Sequence, residues 1–186
     1  MTDLPDLPAP AGRLDPELAF QSLNIAVLTV SDTRTLETDT SGQLLADRIA
    51  AAGHTLISRN LVRDEIEAVR AQVQAWIEDA TVDAVITTGG TGLTGRDITY
   101  EAVTPLFEKR IEGFDTVWHM VSYQSVGLST LLSRACAGVS QGTVIFCLPG
   151  SNGACKDGWD NIIRWQLDSR HRPCNLVDLM PRLTEV

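Results

Sequence analysis

The sequence predicts an α/β fold in three layers: a mainly parallel sheet with helices on both faces. Three observations predict it. Short apolar runs at 24–31, 83–88 and 143–148 have the length and composition of strands covered on both sides. Stretches with apolar residues at helical spacing separate them. One run passes directly into the glycine-rich segment GGTGLTG at 89–95. Strands that alternate with helices pair in parallel through right-handed crossovers, and ligands then bind beyond the carboxyl ends of the strands.

Residues 1–20 hold four of the eight prolines and several acids, a composition suited to an extended arm and not to a core helix. Leu4, Leu7, Leu14, Leu18 and Phe20 offer apolar anchors, so the arm is either a loose tail or a strap on a neighbouring subunit. Residues 21–186 then form a single domain, since one core serves chains of roughly 100–200 residues. Within it NIAVLTVS at 24–31 is the first buried strand. In the next segment Thr40 or Ser41 caps a helix that carries Leu44, Leu45, Ile49 and Ala52 on one face and ends at Gly53. A second strand is expected over 54–62. A helix over 65–80 follows, with Ile66, Val69, Val73, Trp76 and Ile77 as its core stripe. The third strand, 83–88, enters the glycine loop, and Thr99 caps the next helix, which is interrupted near Pro105. Helical segments are expected from Gly113 through the 120s towards Ala137. TVIFCL at 143–148 is a strand, PGSNG a turn, and Trp159, Ile162, Ile163 and Leu167 mark a last amphipathic helix.

Composition excludes several function classes. The hydrophobic fraction of 44% beside 21% charged residues is that of a folded globular chain. A net charge of −9 repels polyanions, which argues against nucleic acid as a partner but leaves room for a small anion held by local groups. Four cysteines without a C-x-x-C pair, and three histidines, read as reduced thiols and not as a zinc or redox motif. No run approaches the ~20 apolar residues of a membrane span, and MTDLPDLPAP lacks the basic and apolar regions of a signal peptide, so the expected compartment is the cytoplasm with no membrane partner.

The glycine loop fits two familiar patterns and completes neither. Gly90, Gly92 and Gly95 have the spacing of a dinucleotide-binding turn, yet Arg96, Asp97 and Ile98 follow where the helix should open. Residues 105–115 show neither the next strand nor its ribose-binding acid. Gly90 and Gly95 have P-loop spacing, but Arg96 and Asp97 replace the phosphate lysine and the metal-binding hydroxyl. What remains is a run of glycines whose N–H groups can approach an anion without a Cβ in the way. With Arg96, Asp97, Thr99 and Glu101 beside it, the loop suits a magnesium-bound phosphate; without a ligand it is a tight strand-to-loop turn.

At TTGGTGLTGRDITYEA, 87–102, the chain resembles the molybdenum-cofactor biosynthesis family of MoaB, MogA and the G domains of gephyrin and plant Cnx proteins. The likeness extends over AVLTVSDTR at 26–34, DTSG at 39–42, VRDE at 62–65, EGF at 112–114, LSRACAG at 132–138 and LPGS at 148–151. It therefore covers roughly 23–175, and SDTR, DTSG, LPGS and SRHRPCN lean to the MoaB branch. The resemblance implies adenylyl transfer, in which the terminal phosphate of molybdopterin attacks the α-phosphate of ATP and pyrophosphate leaves. It also implies Mg²⁺ and a trimeric or hexameric assembly. Such chemistry asks for charge neutralisation and in-line positioning more than for a protein nucleophile.

Carried over residue by residue, the likeness assigns Asp97 and Asp64 to magnesium and catalysis, with Glu101 in the same shell. Asp97 could instead cap the following helix, Asp64 could be a solvated loop residue, and Glu101 could serve only the helix dipole. Ser31, Asp39, Ser41, Gly89, Gly90, Thr91, Gly92, Ser133, Arg134, Pro149 and Gly150 fall in segments that resemble the pterin-phosphate and nucleotide pocket. Arg134 would bind a phosphate or pair with a carboxylate. One departure stands out: several MogA-like and G-domain members have lysine or proline directly after LPG or LPGS. This chain has Asn152 and Gly153, with Lys156 further on, so a cation near the phosphates is missing or displaced. A rival reading is a molybdopterin-binding accessory protein without transferase activity, and a more distant one a nicotinamide-dependent oxidoreductase.

Overall fold

Local sequence decides where each element starts. The computed structural model describes residues 12–185. In chain order it forms β1 (Arg13–Leu14), β2 (Asn24–Val30), α1 (Thr40–Ala51), β3 (Thr55–Val62), α2 (Ile66–Ile77), β4 (Ala84–Thr88) and α3 (Thr99–Val103). Then follow β5 (Lys109–Arg110), α4 (Glu112–Val126), β6 (Cys136–Ser140), β7 (Thr143–Leu148), α5 (Asn152–Gly158), α6 (Arg164–Gln166) and β8 (His171–Arg172). Between α5 and α6 the chain makes a π-helical turn over Trp159–Ile163, so the predicted last helix is one rod with a bulge in it.

The main sheet has the order β3-β2-β4-β7-β6-β5. The first four of these strands are mutually parallel, and β6 and β5 add antiparallel to one edge. Alternation along the parallel strands fills two cores. Ile25, Val27, Ala84, Ile86, Val144 and Phe146 face one way and pack with Leu45, Ile49, Phe114, Trp118 and Trp159 from α1, α4 and the last helix. Ala26, Leu28, Val30, Val85 and Ile145 face the other way, against Val69, Val73, Trp76 and Ile77 of α2 and Ala102 and Val103 of α3. Burial on both faces is why these strands read as continuous apolar runs. Among the described residues no helix is long and apolar enough to cross a membrane.

Register aligns the carboxyl ends of the parallel strands. Val30 pairs with Val62, Thr29 with Thr88, and Thr88 with Leu148. The loops that follow these four strands therefore leave the sheet side by side.

Several expectations need correction. Of the helical run expected from Gly113 through the 120s towards Ala137, α4 supplies the part up to Val126; beyond it come a 3₁₀ stretch, Gly127–Leu132, and strand β6, whose Cys136 pairs with Cys147 of β7. Small residues let CAGVS pack flat between neighbours, and tertiary pairing overrides its weak local preference. Residues 109–110, expected to be free of strand, form an antiparallel edge pair with Val139 and Gly138. That pair lies at the far edge of the sheet and supplies no dinucleotide-type second strand. The cap of α1 is Asp39, not Thr40 or Ser41: its carboxylate accepts from Gly42 N at 2.9 Å. Thr99 is the first residue of α3 and not its cap, because its hydroxyl is committed to the glycine loop.

Residues 13–21 run over their own chain. β1 pairs with β8, Ser169 Oγ accepts from Gln21 N at 2.9 Å and donates to Ala19 O at 3.0 Å, and the Phe20 ring lies 5.0 Å from that of His54. Leu14 and Leu18 stay exposed. Leu4 and Leu7 of the proposed arm lie outside the described residues.

Candidate functional site

The loops after β2, β3, β4 and β7 enclose a cavity of about 330 Å³ at the carboxyl edge of the sheet. Its floor is strand-end residues Thr29, Val30 and Thr88. One wall is the glycine loop, Gly89 to Gly92, with Gly150 against it; Ser31, Arg34 and Ser41 form a second wall, and Asp64 and Asp97 project from the rest.

The glycine loop is built by close approach. Gly89 and Gly90 have φ of +102° and +64°, a region that side-chain-bearing residues avoid. A Cβ at Gly89 would strike the Val30 carbonyl oxygen, and one at Gly90 would lie 2.5 Å from Thr99 Oγ1. Gly150 is needed for the same reason, since its Cβ would sit 3.1 Å from Gly89 Cα. Thr99 holds the turn from below: its hydroxyl donates to Gly89 O at 2.7 Å and its N–H to Gly90 O at 2.9 Å. Among the described residues the N–H groups of Gly90 and Thr91 find no protein acceptor, which leaves donors at a wall of the cavity.

Arg134 fixes the loop from behind. Its backbone N–H donates to Thr91 O, its Nε to Gly92 O and its Nη2 to Asp97 O, each at 2.8 Å. Its remaining valence goes to Glu101, which it grips with both Nη atoms. These bonds favour, for Arg134, the alternative of pairing with a carboxylate. Arg134 is a structural clamp and does not line the cavity, and Glu101 is the clamp's counter-ion, outside the cavity and exposed.

Asp64 and Asp97 are brought together although 33 residues apart in number. Asp64 Oδ2 accepts from Asp32 N at 3.0 Å, and Asp32 Oδ1 accepts from Asp64 N, so the loops after β2 and β3 are tied reciprocally. Asp97 does not cap α3; its carboxylate turns back to accept from Thr94 N at 2.9 Å and Thr94 Oγ1 at 2.6 Å. Burial, then the neighbouring Asp97 charge, raises the Asp64 pKa. Burial opposes ionisation of Asp97 too, but hydrogen bonds from Thr94 and Gly92 and the charge of Arg134 outweigh it, so Asp97 stays below the ordinary carboxylate value.

Asp39 is also relocated. It is fully buried and lies behind the Ser41–Arg34 wall, not in the cavity. Its carboxylate accepts from Thr29 Oγ1 at 2.7 Å, Ser41 Oγ at 3.2 Å, Gly42 N, and Arg59 Nη2 at 3.0 Å. Ser133 and Pro149 line a separate cavity of about 180 Å³ on the far side of the 149–151 turn, where Ser133 Oγ is buried without a partner among the described residues. Asn152 accepts from Thr40 Oγ1 and Lys156 does not reach the first cavity. Arg34 is the one basic side chain among the described residues lining that cavity. Sequence reasoning passed over Arg34, Thr29 and Thr88. The available signal was that all three sit within one turn of a strand's carboxyl end.

Two carboxylates, free backbone donors and one guanidinium share a single concave surface at the carboxyl edge of an α/β sheet, where ligands of such folds bind. Residues 26–169 match the family model described as "Probable molybdopterin binding domain". Molybdenum cofactor biosynthesis protein B of Escherichia coli K12 is 50% identical over 156 residues, 84% of this chain and 92% of the relative. The protein of that name from Bacillus subtilis is 46% identical over 138 residues, 74% of this chain and 81% of the relative. A crystal structure of molybdenum cofactor biosynthesis protein B superposes with a TM-score of 0.78 at 42% identity, over 81% of this chain and 94% of the other. The tungsten cofactor synthesizing protein MoaB from Pyrococcus furiosus gives 0.68 at 37% identity, covering 76% and 91%. The chain belongs to the molybdopterin-binding family of molybdenum cofactor biosynthesis proteins.

The buried Asp39 hub generates a stability test. Its folded-state pKa is lowered: burial raises it, but the Gly42, Thr29 and Arg59 hydrogen bonds and the Arg59 charge more than compensate. A depressed carboxylate contributes stability that is complete above the unfolded value, about 3.9, and is lost as pH falls through the folded value. Asp39→Asn is expected to lower unfolding free energy at pH 7 by about 2–4 kcal/mol. In urea titrations the gap from wild type should narrow as the pH is brought below about 4.

Proposed function

We propose that the chain adenylylates molybdopterin with Mg-ATP, releasing pyrophosphate. The observation that carries the reading is the convergence of Asp64, Asp97, the Gly89–Gly92 backbone and Arg34 on one cavity. At about 330 Å³ the cavity is small for two whole ligands but suited to the phosphates of both, with the rings on adjoining surface.

The donor set fits magnesium. Among the described residues there is no cluster of three or more His, Cys, Asp or Glu side chains that would make a protein-only metal cage. Magnesium is commonly held by one or two carboxylates together with substrate phosphates, and two carboxylates facing one cavity, their charges felt by each other, meet that requirement. When bound, the ion would neutralise phosphate oxygens of the nucleotide and so favour the leaving pyrophosphate.

The chain's own residues position the reactants. Asp64 and Asp97 would hold the metal, with the Thr94 hydrogen bonds favouring the ionised form of Asp97 and aiming it. The Gly90 and Thr91 N–H groups, which have no protein acceptor among the described residues, would donate to phosphate oxygens. A terminal phosphate oxygen of molybdopterin forms the new bond to the α-phosphorus of ATP while the bond from that phosphorus to the β-phosphate bridging oxygen breaks. The attacking phosphate is already ionised, so no general base is required, and none lines the cavity apart from the two carboxylates.

Mixing the purified protein with molybdopterin, ATP and Mg²⁺ should give adenylylated pterin and pyrophosphate. Asp97→Asn is expected to slow that turnover at least tenfold, while chelation of magnesium stops it. Bound pterin with no product from wild type would leave a molybdopterin-binding accessory protein.

We further propose self-association into a trimer or hexamer. Val117, Met120, Tyr123 and Val126 of α4, with Leu128, Leu131 and Leu132 just beyond it, form an exposed apolar face too extensive for scattered surface residues. Sedimentation velocity should show a trimer or larger for wild type and a shift to monomer for Leu131→Glu/Leu132→Glu. A wild-type monomer would refute the assembly.

A further inference from the structure

Arg34 lies where the proposed reaction needs a second, metal-free phosphate site. It emerges from the loop after β2, on the wall of the cavity formed with Ser31 and Ser41. Its guanidinium is held on one side only: Nη1 donates to Ser41 Oγ at 3.1 Å and lies 3.7 Å from Asp39 Oδ1. The Asp39 carboxylate has no exposure, is saturated by Thr29, Ser41, Gly42 and Arg59, and cannot follow Arg34 if it moves. Arg34 is thus a cation with a fixed base, about one-third exposed towards the cavity. Its backbone N–H, and that of Thr33, are turned towards Ser31 Oγ at 3.3 Å, which fixes the loop that carries it. Among the described residues Arg34 is the one cation lining the cavity, beside the two carboxylates of Asp64 and Asp97. The two kinds of group suit different ligands: the carboxylates suit a metal-bound triphosphate, and the guanidinium suits a bare phosphate monoester that carries no metal. Arginine's planar fork matches two oxygens of such a group.

We propose that Arg34 binds the terminal monoester phosphate of the adenylyl acceptor, with Asp39 and Ser41 as positioning residues that keep the fork aimed into the cavity. The inference rests on the adenylyl-transfer reading and gives the acceptor phosphate its own site. The attacking oxygen belongs to the phosphate that Arg34 holds, and Asp64 and Asp97 keep the nucleotide through its metal.

Inorganic phosphate serves as the probe of the monoester site and Mg-ATP as the probe of the two carboxylates, both titrated calorimetrically into the whole protein. Wild type should bind both. Arg34→Ala should weaken inorganic phosphate at least tenfold while changing Mg-ATP affinity less than threefold, and Arg34→Lys should recover part of the loss. Asp97→Asn should do the reverse. Unchanged phosphate affinity in Arg34→Ala, with a far-ultraviolet spectrum and melting temperature like wild type, overturns the assignment. So does a loss of Mg-ATP binding in place of phosphate binding, which would put Arg34 on the triphosphate. Failure of adenylyl transfer with Arg34-dependent phosphate binding intact would count against the transferase reading alone.

Discussion

The contact on which the site depends is the meeting of Gly89 with the carbonyl of Val30, where the ends of β4 and β2 touch with no side chain between them. That approach brings the glycine loop beside the loops after β2 and β3 and so closes three sides of the cavity. It is available only to glycine at a φ of +102°. It is also costly in backbone freedom, because glycine loses more conformational entropy on ordering than other residues. The surrounding structure makes up that loss with a second set of bonds: Thr99 beneath the turn, Gly150 packed on it, and Arg134 drawing in the carbonyls of Thr91, Gly92 and Asp97.

Charge is distributed to the same end. The ion pairs that shape the site, Arg134 with Glu101 and Arg59 with Asp39, lie outside the cavity, while Asp64, Asp97 and Arg34 face into it. Partnered charges build the walls and less encumbered ones face the ligand. A chain with nine excess negative charges can thereby accommodate an anionic ligand, because a local guanidinium and free N–H groups dominate at contact distance.

The parallel strands and the stripes on α1, α2 and the last helix were legible because burial on both faces of a strand, or on one face of a helix, dictates apolar spacing directly. Val69, Val73, Trp76 and Ile77 are all buried, as their spacing requires. β6 was not legible: CAGVS is small and weakly strand-forming, and it becomes a strand only because β7 is there to pair with it. The helix caps were misplaced by one or two residues, since Asp39, Thr40 and Ser41 are all competent caps and only the partners Thr29 and Arg59 select Asp39. Within the site, the glycine loop and its neighbour Asp97 could be named from residue type and spacing, while the assignment of Asp64, and of both aspartates to a metal, came from the family resemblance. The division of labour between Arg134 and Arg34 could not be named in either way, because it depends on which guanidinium finds a carboxylate and two carbonyls after the chain has folded.

The most direct test of this account is to locate the metal. A crystal grown with ATP and Mn²⁺, read by anomalous scattering, should place manganese between the carboxylates of Asp64 and Asp97, bridging to phosphate oxygens seated on the Gly89–Gly92 backbone. Manganese bound without either aspartate, or a triphosphate lying outside the cavity, would contradict it.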